Sequence, residues 1–135
     1  MTVADFVARL LGRSDKTEEN LLHKAHDIGL TDKYMTEHPE MCVTRRDAAK
    51  IIHVFLRDVL SEPDLGDISK AAVLKDLYDC RVCVNDIAQV FCRGIMKGHG
   101  FPNGLLLFEG YCELTDEEAE EIFLLLSFYP EYAIL

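Results

Sequence analysis

Three times in 135 residues a threonine is followed, three positions on, by an acid, and each time an apolar stretch of helical period begins. The three are Thr2-Val-Ala-Asp5, Thr44-Arg-Arg-Asp47 and Thr115-Asp-Glu-Glu118. At that spacing the hydroxyl can accept the third amide proton of a helix, while the acid answers the cap amide or the positive end of the helix dipole. Glu118 fits the reciprocal form best. Behind the caps, Phe6, Val7, Leu10 and Leu11 share one face. So do Ala48, Ile51, Ile52, Phe55, Leu56 and Leu60, and again Ala119, Ile122, Phe123 and Leu126. This period predicts an all-α domain, a compact bundle of five or six helices with three long capped helices at its centre.

The surroundings of the second and third caps also agree. Shorter amphipathic segments, 19–30 and 84–95, end in Gly29-Leu30 and Gly94-Ile95, a helix stop followed by its hydrophobic contact. Residues 70–79, "KAAVLKDLYD", predict a further helix. From glycine to threonine is 15 residues in one copy and 21 in the other. The difference fits an insertion within "KGHGFPNG", whose Gly, Pro and Asn have turn-like spacing. The expected organisation is therefore a single domain over 1–135, with a partial repeat at 1–13 and fuller repeats at 18–60 and 74–129.

These repeats resemble the S-layer homology domain of bacterial surface proteins. Residues 76–126 follow that family's pattern most closely: Asp76 is the early acid, "RGIMKG" the helix stop, Phe108 the loop aromatic and "LTDEEAEEI" the second helix. Residues 22–58 form a degraded copy, with Pro39 at the loop proline and "TRRDAA" at the cap. The resemblance implies long helices packed around a centre and grooves that hold an anionic, often pyruvylated, cell-wall polysaccharide. The family's cap arginine is one of its ligand contacts, because a guanidinium grips a carboxylate through two parallel bonds. Only Thr44-Arg45 keeps it; Val3 and Asp116 stand at the equivalent positions, and the chain has no tryptophan. The candidate ligand-binding residues are thus Thr44, Arg45, Asp76, Phe108 and Thr115, joined by His99 in the loop where binding residues concentrate.

Charge narrows the ligand class. The net charge of −10 is uneven: residues 1–60 carry −1 and residues 61–135 carry −9. A nucleic acid or an acidic membrane would approach against that second half, so neither is an expected partner. The longest apolar run, 122–129, is less than half a membrane span, and the N-terminus lacks the pattern of a secretory signal. The expected location is cytoplasmic as the sequence stands, or the cell surface should a signal lie upstream. Arg45 and Arg46 occupy a first helical turn, where the dipole disfavours positive charge. Given the surplus of acids, an internal or partner-protein carboxylate is the expected counter-ion of Arg45, ahead of a glycan.

Five cysteines, at 42, 80, 83, 92 and 112, stand among apolar neighbours and are expected as free core thiols. Cys80-Arg-Val-Cys83 is the one motif open to other chemistry, either half of a tetrahedral metal site or a redox pair. His23 and His26 share a helical face at metal-binding spacing, which exposed polar positions explain equally well. The acids at 116, 117, 118, 120 and 121 form a polar helix face, and no nucleophile–base pairing is legible. The tail 127–135 is too apolar for a free end and is expected to pack back on the bundle, ahead of forming a patch for another chain. The function expected is non-enzymatic and cofactor-free: a binding or scaffolding module for a protein partner or self-association. Binding of a cell-wall glycan is the alternative, and a metal protein centred on Cys80 and Cys83 the outsider.

Overall fold

The computed structural model describes residues 1–12 and 19–133. They are mostly helical: α1 (Val3–Leu10), α2 (Glu19–Ile28), α3 (Lys33–Glu37), α4 (Arg45–Val54), α5 (Val84–Cys92), α6 (Asp116–Leu126) and α7 (Pro130–Ala133). Short 3-10 turns cover Ser69–Val73, Leu77–Asp79 and Arg81–Cys83. A two-residue hairpin, β1 (His99–Gly100) with β2 (Leu106–Leu107), pairs antiparallel with His99 opposite Leu107. It forms where the "KGHGFPNG" insertion was expected, and Gly104 at φ +83° makes its turn. Among the described residues, no helix is long and apolar enough to cross a membrane.

All three threonines cap as expected. The hydroxyls of Thr2, Thr44 and Thr115 accept the amides of Asp5, Asp47 and Glu118, and only Thr115–Glu118 closes the reciprocal box. The apolar faces point inward: Phe6, Leu10, Ile51, Ile52, Phe55, Ile122 and Leu126 are among the fully buried residues. α1 has eight residues, about two turns, so it is shorter than the long helix its cap suggested. α4 is extended by a π-helical turn, Phe55–Val59, in which the Leu60 amide donates to the Phe55 carbonyl.

The start of one capped helix docks on the loop before the next, twice in the same way. The amides of Val3 and Ala4 donate to the carbonyls of Met41 and Pro39, and those of Arg45 and Arg46 to Cys112 and Gly110. Relative to the following threonine, these acceptors occupy identical positions. Thr2 bridges to Cys42 and Thr44 to Glu113, again at matched positions. The first amides of α1 and α4, which have no partner inside their own helices, are thereby satisfied by a neighbouring segment. At α6 the Met1 amino group lies 3.6 Å from Asp116. Two of the capped helices also meet directly: Phe6 of α1 packs on Phe123 of α6 at 5.3 Å between centroids, and Arg9 pairs with Glu120. α4 packs against α5 as well.

Gly29 and Gly94 end their helices at φ +94° and +75°, with Leu30 and Ile95 bonding back to Ala25 and Val90. The helix expected over 70–79 is not formed. Leu74 is extended, the Lys75 amide pairs with the Leu106 carbonyl, and the Asp76 carboxylate takes the amides of Phe108 and Glu109. Three long-range bonds therefore outcompete a marginal helix at its middle. In the tail, Tyr129 and Tyr132 pack on the core and Tyr132 meets Phe55 edge-on, whereas Phe128 is exposed. Ile134 and Leu135 lie outside the described residues, as does the junction between residues 13 and 18.

Candidate functional site

Five of the six candidate residues converge on one network at the starts of α4 and α6. Arg45 is its centre and is only 2% exposed. Its Nε donates to the Phe108 carbonyl at 2.8 Å, its Nη2 to the Lys97 carbonyl, and its Nη1 pairs with Glu118. The guanidinium also lies over the Phe108 ring, 4.7 Å from its centroid. Burial draws its pKa below the ordinary value, while Cys112, Glu109 and Asp76 favour the charge. The expected internal carboxylate for Arg45 is thus Glu118, held in place by its own capping box with Thr115.

The network closes on itself. Asp76 holds the amides of Phe108 and Glu109 at 2.7 and 2.8 Å. Glu109 accepts from His99 Nδ1 at 3.0 Å, and His99 Nε2 faces Glu118 at 3.4 Å. Glu109 adopts φ +55°, a conformation that a residue with a Cβ rarely takes, and the bonds on both sides hold it there. The His99 hydrogen bond keeps the Glu109 carboxyl below its usual pKa, assisted by Cys112 and Tyr111. The Cys112 thiol is pushed up, first by burial and then by Glu109. Thr44 stays outside this ring and serves α4 as its cap.

A cleft of about 480 Å³ opens beside the network. Arg45, Lys97 and His99 line it together with Glu113, Glu118 and Glu121. Each of these basic side chains already faces an acid: Arg45 and His99 face Glu118, and Lys97 meets Glu121 at 2.8 Å. An anion entering here would have to displace a carboxylate already in place.

Two features were missed from sequence. His53, 3% exposed, is held between Asp64 and Asp86, each at 2.7 Å. Burial raises the Asp64 pKa, but the bonds from His53 and Asn85 outweigh it and leave that carboxyl below its usual value. The available signal was a histidine among Ile51, Ile52 and Phe55 on a buried helix face. The second feature corrects the expectation of five free thiols. Cys80 and Cys83 form a disulfide with Cα atoms 5.3 Å apart, and the free thiols are not core residues: Cys42 is exposed and Cys92 and Cys112 are partly exposed. Bridged sulfurs carry no thiolate with which to ligate a metal. Among the described residues no group of three or more His, Cys, Asp or Glu could hold an ion; His23 and His26 are exposed.

Comparison of the chain with protein-family models, with curated proteins and with solved structures finds no match.

Proposed function

We propose that this chain is a non-enzymatic binding or scaffolding module built from S-layer-homology-like repeats, and that it binds a protein or a second copy of itself. Support for the repeats comes from the matched hydrogen bonds at α1 and α4, where equivalent amides reach equivalent carbonyls before the next cap. The observation that carries the choice of partner is the state of Arg45. Its guanidinium is engaged on all sides by Phe108, Lys97 and Glu118, and is buried among them. The arginine that would grip a glycan carboxylate is an internal tie here. Leu124 and Phe128, 59% and 74% exposed near the end of α6, provide apolar surface for a protein contact.

The test is calorimetric titration with pyruvylated cell-wall polysaccharide at physiological salt, beside sedimentation equilibrium of the protein alone. The expected result is no saturable heat, together with either dimerisation weakened by Phe128→Ser or capture of a protein partner that the same change abolishes. Saturable glycan binding lost in Arg45→Ala, with the variant still folded, would replace this reading by a surface-anchor function.

A further inference from the structure

The Cys80–Cys83 bridge has a placement that a structural staple does not need. It closes a loop of two intervening residues, and cross-links restrain an unfolded chain less the shorter the loop they close. The same turn is already fastened by the Cys83 amide donating to the Cys80 carbonyl at 3.1 Å. Val82, between the two cysteines, is 90% exposed, while Cys80 is partly buried and Cys83 is buried against the core. The bridge immediately precedes α5, with Cys83 as the N-cap residue and no side chain capping the helix there. A hollow of about 460 Å³ opens onto both sulfur-bearing residues and Val82, and the cations Arg46 and Lys50 line it with Asp32, Asp47 and Asp86. Asp86 already faces His53, and the buried Nε of Arg46 has no hydrogen-bond partner.

We infer that Cys80–Cys83 is an exchange-active disulfide that accepts two electrons from an external dithiol. A donor thiolate attacks Sγ of Cys80, the less buried of the pair, forming a mixed disulfide. The Cys80–Cys83 bond breaks, and Cys83 leaves as a thiolate at the start of α5, where the helix dipole favours negative charge. The donor's second thiol loses its proton and attacks its own sulfur in the mixed disulfide, which releases Cys80. The donor ends as a disulfide, and its two protons end on Cys80 and Cys83. This site is separate from the Arg45 network and does not depend on the binding role proposed above.

Purified full-length protein, kept without reductant and then denatured with an alkylating probe, is expected to show three thiols, and five after reduction. Dithiothreitol should open the bridge about tenfold faster in the folded protein than in urea, because the fold favours the leaving thiolate. Circular dichroism should show the fold retained after reduction. Cys83→Ser should trap a mixed disulfide at Cys80 when offered a labelled thiol disulfide, and Cys80→Ser should trap far less at Cys83. Reduction that is slower in the folded state than in urea, or that requires unfolding, would overturn the proposal. So would preferential trapping at Cys83, or five thiols in protein that resists oxidation to the bridged form.

Discussion

Arg45 shows how a residue that is wrong for its local position can be right for the fold. At the first turn of α4 its charge opposes the helix dipole, and its burial removes hydration. Two carbonyls, the Glu118 carboxylate and the Phe108 ring together offset that cost. Arg45→Met should therefore destabilise the protein by about 3 kcal/mol in urea unfolding, because Glu118 and two carbonyls lose their partner. Arg45→Lys should recover little of this, as an ammonium cannot reproduce the fork that serves three acceptors in fixed directions. The counter-charge itself could be anticipated from the excess of acids. Its identity could not, because Glu118 lies 73 positions away and its local task, the capping box, already accounted for it.

Helix starts and stops were the most legible features, since their signals are local: hydroxyl, acid and glycine spacings act within one turn. Thr115→Ala should lower stability by about 1 kcal/mol by thermal or urea unfolding, the usual worth of a cap. Segments whose backbone bonds leave the neighbourhood were not legible. The stretch over residues 70–79 has helical composition, yet Lys75 and Asp76 are committed to Leu106, Phe108 and Glu109 some thirty residues on. The hairpin that receives them depends on close approach at Gly98, where a Cβ would meet Leu74 Cδ2 at 2.8 Å and Leu106 Cγ at 2.9 Å. Gly98→Ala should therefore cost about 1–3 kcal/mol in urea unfolding, the range for overpacking. A cost below 0.5 kcal/mol would mean that the hairpin yields easily.

Across the molecule, carboxylates tie together parts distant in sequence, so stability should depend on their ionisation. Asp64 and Glu109 are held below the usual carboxyl range by hydrogen bonds formed only on folding. Their contribution is complete above the unfolded value of about 4 and is lost as pH falls through the depressed folded values, where the unfolded chain binds more protons. Urea midpoints should fall as pH drops below about 5, and Glu109→Gln should show a shallower fall. An identical slope in the variant would remove Glu109 from the account. The mainly helical character followed from periodicity, and the matched docking of successive capped helices obeys the same spacing. The His53 contacts and the Cys80–Cys83 bond did not follow: one needs Asp64 and Asp86 brought beside a helix, and composition favoured buried free thiols over a bridge.

Arg45 ties the start of α4 to the start of α6. A double-mutant cycle of Arg45→Met and Glu118→Gln, followed by urea unfolding, measures that tie directly. Glutamine keeps the capping hydrogen bond to the Thr115 amide while removing the charge. A coupling energy of about 2 kcal/mol is predicted, within the range for residues in one buried network. Additivity within about 0.5 kcal/mol, as for sites that do not interact, would contradict it.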